Sequence, residues 1–352
     1  MFTNQFKGRK GQVINDQYSI IKFICEGGYS MVYLCQDLIK NSTVALKIIK
    51  ADPKYATAAK NEIDIMKKIN KIPSIETKHI CMYYNDFIFP ALNGFYHTAI
   101  VLEPLGMSLY DALNSGCKFS VEDTKKIIKQ LIIATQTIHE QLRMIHADIK
   151  PSNIMFVGDP KDCNIKLADF GNMLNIKSII EWEYEDCRKL QTRRYRSPES
   201  IIGSRYSEVT DSWSIGCITF ELLTGSPLFD PRGIGEGDTI YEEFMPRIIA
   251  DGDRDFDHLS QMKFMNDDVF SEDIINLSFW RLDFFKGEDN TELIMDTRGV
   301  PTINLLEYLL KKHIKDKNEF ENIHGFLKYC LFINPRYRLD CPGLLQTEFM
   351  TT

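Results

Sequence analysis

Five short segments carry side chains that could act on a charged substrate. The first is Ile24-Cys25-Glu26-Gly27-Gly28-Tyr29-Ser30-Met31-Val32. Its small residues let the backbone approach phosphate oxygens closely and offer N–H groups to them. The second is Val44-Ala45-Leu46-Lys47, where a long cation sits in an apolar stretch and needs an anion. Glu62, on the segment that follows, is a candidate partner. The third, His146-Ala147-Asp148-Ile149-Lys150-Pro151-Ser152-Asn153, compresses a carboxylate, a cation and a carboxamide into six residues, Asp148 to Asn153. The fourth is Asp169-Phe170-Gly171. The fifth is Thr192-Arg193-Arg194-Tyr195-Arg196-Ser197-Pro198-Glu199, followed by Asp211-Ser212-Trp213-Ser214-Ile215-Gly216. Taken singly, each has a bland reading. A glycine pair in a hairpin is usually a turn, and a strand lysine usually keeps its head in water. Their order and joint spacing carry the weight.

The elements that must position them follow from periodicity. Residues 18–50 alternate apolar and polar positions and are broken at Gly27-Gly28, which predicts consecutive antiparallel strands with a tight loop. Residues 54–72 favour a helix limited by Pro73, and residues 95–103 read as a buried strand. From Ser120 the pattern changes. Ser120 can N-cap, Asp123 follows three residues later, and Val121, Ile128, Leu131, Ile132, Thr135, Ile138 and Leu142 keep helical spacing. His139 lies on the apolar face of that helix and reads as core. After Trp213, itself a core residue, the chain is largely helical in character. A mostly-β first third therefore precedes a mostly-α remainder, joined near residues 103–107. That predicts two lobes with a ligand cleft between them.

Composition bounds the class. The 352 residues are 44% hydrophobic and 26% charged, with 20 Gly and 13 Pro, which excludes collagen-like, mucin-like and wholly disordered chains. The net charge of −7 disfavours non-specific nucleic-acid binding and favours basic partners. Nine scattered cysteines without a C-x-x-C pair point to a reducing compartment. The N-terminus has no signal-peptide core, and no uncharged run approaches the roughly 20 residues of a membrane span. The expectation is a cytoplasmic and nuclear protein, a monomer, with no membrane or direct nucleic-acid partner.

The ordered segments resemble the protein-kinase signatures: a Gly-rich loop, a strand lysine, a helix glutamate, a catalytic loop, D-F-G and a P-E motif. The resemblance covers residues 18 to 348. It implies an α+β, bilobal protein kinase fold, with a small β-rich N-lobe (18–103), a larger helical C-lobe (104–348) and residues 1–17 as an N-terminal extension. Within kinases the chain is most similar to the SR-protein kinases of the CMGC group. This rests on Tyr55-Ala-Thr-Ala-Ala-Lys-Asn-Glu62-Ile63, the Leu105-Gly106 hinge, Asp148-Ile149-Lys150-Pro151, Ala168-Asp169-Phe170-Gly171-Asn172, Gln191 to Ser197 and Ile202-Gly203-Ser204.

The resemblance implies roles. ATP and Mg²⁺ are the expected cofactors, and serine in basic, Ser/Arg-rich proteins such as splicing factors is the expected acceptor. Lys47 would hold the α/β-phosphates, oriented by Glu62. Asp148 would accept the hydroxyl proton, Lys150 would stabilise the phosphoryl group in flight, and Thr192 would brace the catalytic loop. Asn153 and Asp169 would hold Mg²⁺, which prefers hard oxygen ligands. Residues 24–32, Ala45, Lys47, Leu102, Glu103, Leu105 and Met155 would line the nucleotide site, Glu103 and Leu105 through their backbone. Glu199 would pair with Arg338, Asp211 would tie down the catalytic-loop backbone, and His146 would be a buried structural residue.

Some positions depart from the pattern. Cys25 and Ser30 stand where the first and third glycines of G-x-G-x-x-G are usual, and a Cβ at Cys25 weakens the approach to phosphate. Phe170 and Pro198 move toward other CMGC branches, DYRK-like or PRP4-like, and the long spacer of many SR-protein kinases is absent. A kinase of another branch and a partner-binding pseudokinase are the competing readings. Ala147 replaces the arginine of H-R-D and cannot clamp a phosphate on the activation segment. That segment itself carries Glu181, Glu183, Glu185 and Asp186, with Ser178 and Tyr184 as candidate modification sites. Finally, residues 236–257 hold Glu236, Asp238, Glu242, Glu243, Asp251, Asp253, Asp255 and Asp257 against Arg247 and Arg254, a net of −6. Asp251, Asp253, Asp255 and Asp257 are the candidate docking site for arginine-rich substrate.

Overall fold

The computed structural model describes residues 4–91, 94–176, 190–231, 254–265, 270–286, 292–293 and 305–352. It divides into two compact units, residues 1–108 with 155–172, and residues 109–154 with 173–352.

The first unit is built on a six-stranded sheet. Its strands are β1 (Val13–Ile14), β2 (Tyr18–Glu26), β3 (Ser30–Asp37), β4 (Ser42–Ile49), β5 (Tyr83–Pro90) and β6 (Tyr96–Leu102), in the spatial order β1-β2-β3-β4-β6-β5 with every pairing antiparallel. Helix α1 (Pro53–Ile69) follows β4. Asp52 caps it by accepting from the Lys54 amide, and Pro53 opens it, where a missing N–H costs nothing. It ends at Ile69, before the expected limit at Pro73, and the Asn70 side chain at its C-cap donates to Tyr83 O at 2.6 Å.

One face of the sheet buries Tyr18, Ile20, Met31, Tyr33, Cys35, Leu46, Ile48, Phe89, Ala99 and Val101. Phe6 belongs to the same cluster. Its ring meets Tyr33, Phe89 and His97 edge-on at 5.4–5.7 Å. The Gly8 amide donates to the Tyr33 hydroxyl at 3.0 Å. Phe6 and Gly8, from the segment expected as an N-terminal extension, thus pack against this core.

Residues 104–108 and 155–172 also belong to the first unit. Strands β8 (Ile154–Phe156) and β9 (Ile165–Leu167) form a hairpin. Gly106 N–H donates to Phe156 O at 2.8 Å and Phe156 N–H to Met107 O at 3.0 Å. Cys81 N–H donates to Leu167 O at 2.8 Å, and Leu167 N–H to His79 O at 2.8 Å. These backbone bonds tie linker and hairpin to the first unit.

The second unit is mainly helical. In chain order it contains α2 (Leu109–Asn114), α3 (Val121–Thr137), β7 (Met144–Ile145), β10 (Leu174–Asn175), α4 (Pro198–Ile202), α5 (Val209–Thr224), α6 (Arg254–Met265), α7 (Glu272–Asn276) and α8 (Arg281–Phe284). The pair β11 (Phe285–Lys286) and β12 (Glu292–Leu293) precedes α9 (Leu305–His313), α10 (Lys317–Cys330), α11 (Cys341–Leu345) and α12 (Glu348–Thr351). Ser120 and Asp123 form the expected capping box on α3. Helix α5 is the hub: Thr210 to Leu222 are all buried, and Trp213 stacks on Phe229 with ring centroids 5.6 Å apart. Among the described residues no helix is long and apolar enough to cross a membrane.

The placement of Phe6 makes a testable statement. Deleting a buried aromatic ring costs roughly 3–5 kcal/mol, and a segment at the surface can relax, so Phe6→Ala is expected to lose about 3 kcal/mol in urea unfolding. A loss under about 1 kcal/mol would show that residues 4–12 are an appendage.

Candidate active site

In the first unit, register decides which side chains share a face. Residues directly opposite one another on paired strands project to the same side. Val32 is opposite both Cys25 and Lys47, Lys47 is opposite Ile100, and Ala45 is opposite Leu34 and Leu102. Cys25, Val32, Ala45, Lys47 and Leu102 therefore lie on one face. Met31, one position from Val32, projects to the other and sits in the core cluster at 7% exposure. Its side chain is thus turned away from the face assigned to nucleotide, contrary to expectation. Ser30 is also buried, and its carbonyl accepts from Gly27 N–H at 2.8 Å to close the loop between β2 and β3.

Lys47 is the centre of a charge cluster. Its Nζ lies 2.6 Å from Glu62 Oε1, delivered by α1, and 2.9 Å from Asp169 Oδ1. Burial alone would depress the ammonium's pKa. The Asp169 and Glu62 carboxylates outweigh that and hold it well above the ordinary lysine value. Asp169 reaches the cluster from a left-handed backbone, φ 67°, a conformation a non-glycine residue holds only where its surroundings over-determine it. A fixed cation flanked by carboxylates suits a polyphosphate with a divalent ion, each sign meeting its opposite.

Sequence reasoning did not find Tyr29's place. Its hydroxyl lies 3.3 Å from Lys47 Nζ, Glu62 Oε2 and Asp169 Oδ1. Nor did it find the role of the Glu103 side chain. That carboxylate takes Lys166 Nζ at 2.7 and 2.8 Å and accepts from Met82 N–H at 2.6 Å. The Glu103 amide donates to Met82 O, so the backbone group it can offer a ligand is its carbonyl. Leu105 and Met155 are half-buried, and Ile24 is 38% exposed.

The second unit carries a separate polar cluster. Asp148 is 5% exposed. Its Oδ1 accepts from the Thr192 amide at 3.0 Å and the Thr192 hydroxyl at 2.8 Å, and its Oδ2 from Lys150 Nζ at 2.8 Å. Lys150 also donates to Thr192 Oγ1 at 2.9 Å. Asn153 Nδ2 donates to the Asp148 carbonyl at 2.9 Å, which commits the amide nitrogen and leaves the carboxamide oxygen as the hard ligand. A carboxylate braced on both oxygens, beside an ammonium, can aim a hydroxyl and receive its proton.

Asp211 fixes the loop that carries Asp148. It is fully buried on α5 and accepts from the His146 amide at 2.8 Å and the Ala147 amide at 3.0 Å. Ala147 adopts a left-handed φ of 61°, which lets consecutive amides point at one carboxylate. His139, read from sequence as a core residue, is buried as expected but is also polar-paired: its Nε2 is 2.8 Å from Asp211 Oδ2 and its Nδ1 3.8 Å from Cys341 Sγ. Burial would lower the imidazole's pKa; Cys341 and Asp211 reverse this and raise it to about 10. The signal in the sequence was two polar residues facing each other from two apolar helices, which spacing does not reveal. Glu199 and Arg338 form the expected pair, at 2.6 and 2.7 Å, with both side chains fully buried.

The docking acids fare differently. Asp251 and Asp253 lie outside the described residues, as do residues 177–189 with Ser178, Tyr184 and the acids between them. Asp257 lies in α6, and its side chain is outside the described set. Asp255 is the second residue of the same helix, with its carboxylate 3.5 Å from Arg196 and 3.8 Å from Arg193. It answers two cations of its own chain.

These geometries define a phosphate-holding set and a hydroxyl-aiming set. The protein kinase domain family matches residues 18–350, and the chain belongs to that family. Its relatives are serine/threonine kinases of CMGC type. It is 29% identical to serine/threonine-protein kinase prpf4B of Dictyostelium discoideum, over 98% of this chain and 41% of the relative. It is 30% identical to serine/threonine-protein kinase AFC3 of Arabidopsis thaliana, over 96% of this chain and 82% of the relative. It is 27% identical to homeodomain-interacting protein kinase 1 of Caenorhabditis elegans, over 96% of this chain and 40% of the relative. The chain thus spans about two fifths of the length of the first and third of these. The fold is the bilobal protein kinase fold, one unit β-rich and the other helical.

The His139–Asp211 pair predicts a pH dependence. A group whose pKa rises from 6.5 to about 10 on folding adds stability that is complete below pH 6.5 and is lost as pH climbs toward 10. His139→Gln keeps a hydrogen bond without the charge. Its stability deficit is expected to be largest near pH 6 and to shrink by pH 10 in denaturant titrations. A deficit constant across that range would show a neutral imidazole.

Proposed function

We propose that this chain is an ATP- and Mg²⁺-dependent serine/threonine kinase acting on basic, Ser/Arg-rich protein segments. The carrying observation is the bracing of Asp148 by Thr192 and Lys150 beside a loop anchored on Asp211. Phosphoryl transfer asks for positioning and charge neutralisation more than for covalent help. Asp148 orients the acceptor hydroxyl and takes its proton. Lys150, 2.8 Å from Asp148 Oδ2, supports the charge of the phosphoryl group as it passes. Lys47, fixed by Glu62, holds the non-transferred phosphates. Each chemistry suits Mg²⁺: the Asp169 carboxylate of the first unit and the Asn153 carboxamide oxygen of the second are hard oxygen donors that would hold it. Mg²⁺ commonly takes only one or two protein carboxylates and completes its shell with water and phosphate. The bound ion supplies charge neutralisation at the phosphates.

Two observations support a basic substrate: the net −7 of the chain and its concentration in residues 236–257. Carboxylates there can form paired, charge-assisted bonds with arginine and speed encounter in a salt-dependent way. A CMGC kinase of another branch is the second reading. The engagement of Asp255 by Arg193 and Arg196 favours it, since that carboxylate is not open to a substrate arginine without competition.

A phosphate-transfer assay with a Ser/Arg-repeat peptide, a general basic protein and a proline-directed peptide separates the readings. The first is expected to be preferred, with the preference weakening at high salt. Asp148→Ala is expected to lose roughly 10²–10⁴-fold in turnover with ATP binding kept, and near-normal turnover would remove Asp148 from its role. Ala147 offers no cation to an activation-segment phosphate. Protein made without an upstream kinase is therefore expected to be active, and abolition by phosphatase would count against this.

A further inference from the structure

The loop between β2 and β3 is positioned to hold a polyphosphate, yet one of its own side chains stands among the groups a polyphosphate would need. Tyr29 folds inward rather than toward solvent. Its hydroxyl accepts from Lys47 Nζ and is shared as a donor between Glu62 Oε2 and Asp169 Oδ1, each at 3.3 Å. Its ring lies under the ammonium, 5.0 Å from Nζ to the centroid, and against Tyr55 of α1 at 5.8 Å. The backbone helps to hold it there, with Lys50 N–H donating to Tyr29 O at 2.9 Å and Lys50 Nζ to Gly28 O at 3.0 Å. Gly171 leaves the room: a Cβ at that position would come within 2.4 Å of the Tyr29 hydroxyl.

Charge explains why a phenol fits. The cluster holds two carboxylates and one ammonium. Lys47 serves one oxygen of each at 2.6 and 2.9 Å. The excess negative charge calls for a further donor, and a hydroxyl supplies one at no cost in charge. A divalent ion with its phosphates satisfies the same groups better, because it brings full positive charge to Asp169 and anionic oxygens to Lys47.

We propose that Tyr29 is an internal competitor for the nucleotide phosphates: its hydroxyl occupies their place in the nucleotide-free protein and leaves when they arrive. This rests on the reading of the site as an ATP site. The competition is confined to the phosphate end. A ligand without phosphates has no need to displace the tyrosine.

The test measures equilibrium binding by titration calorimetry. The probes are adenosine and, with Mg²⁺, a non-hydrolysable β,γ-imido analogue of ATP. Tyr29→Phe keeps the ring beside Lys47 and Tyr55 and removes only the hydroxyl. It is expected to bind the triphosphate analogue about three- to tenfold more tightly than the wild type, the net worth of one ordinary hydrogen bond. Adenosine affinity is expected to stay within twofold. Tyr29→Leu, which removes ring and hydroxyl, is expected to shift the analogue in the same direction. Unchanged or weaker analogue binding by both variants overturns the proposal. An equal shift for adenosine and the analogue also overturns it, because the effect would then belong to the shape of the site. Failure of the wild type to bind either ligand overturns the ATP reading, and this inference with it. Wild-type binding of both ligands without any effect of Tyr29→Phe sinks the inference alone.

Discussion

Two carboxylates share one buried ammonium in the first unit, and much of that unit's local architecture follows from keeping them together. Lys47 is 7% exposed and Glu62 1%. A buried charge left without its partner costs several kcal/mol, so neither can be placed loosely. The sheet register puts Lys47 on the same face as Cys25, Val32, Ala45 and Leu102. Helix α1 must begin at its Asp52 cap so that Glu62 arrives on the buried side among Ala59, Ile63 and Met66. The Asp169 backbone accepts a left-handed conformation to bring the second carboxylate in. The side chains that complete the pair are drawn from β4, α1 and the segment after β9, which are distant in sequence. The pair therefore specifies the tertiary arrangement of this unit as much as it stabilises it.

The second unit solves the converse problem, a buried anion that must orient backbone. Asp211 is wholly buried, and burial by itself would raise its pKa. The His139 bond and charge, with the His146 amide, hold it below the ordinary carboxylate range. Each donor it accepts is a backbone or side-chain group whose position matters to Asp148. Removing the carboxylate would free two amides and leave a buried cation unmatched. Glu199 and Arg338 repeat the device nearby. Arg338 also donates to Phe332 O and Ile333 O and lies 5.0 Å from the Trp213 ring centroid. The hydroxyl-aiming groups thus stand on a network of buried, fully hydrogen-bonded ions, which tolerates little displacement.

What the sequence discloses and what it conceals divide along a physical line. Residues whose roles depend on local spacing were legible: the Ser120–Asp123 box, the consecutive antiparallel strands over residues 18–50, and the compressed run from Asp148 to Asn153. Pairings between distant segments were legible only where a motif order implied them, as for Glu62 with Lys47 and Arg338 with Glu199. Phe6 escaped because a short segment before the first strand has no periodicity to betray a buried face. His139 showed a helical position but not its partner, since an apolar face says only that a residue is inside. Met31 was grouped with its neighbours by adjacency, although strand alternation turns it to the opposite side. Tyr29 escaped for a similar reason: a loop tyrosine between glycines and serine carries no signal for which way its ring folds.

The same line runs through the arginines of the fifth segment. The sequence writes Arg193, Arg194 and Arg196 in one stretch and Asp251, Asp253, Asp255 and Asp257 in another. Folded, Arg194 donates twice to Asp230, at 2.8 and 3.0 Å. Arg196 donates to Leu190 O and Gln191 O, both at 2.9 Å, and faces Asp255. Burial lowers the Arg196 pKa, and the Asp255 charge works against that loss. Charges written close together in two separate stretches have therefore been spent partly on each other. An arginine-rich substrate approaching Asp255 must displace interactions at 3.5 and 3.8 Å with cations already in place. At least one of the eight carboxylates in residues 236–257, that of Asp255, is therefore already engaged within the chain.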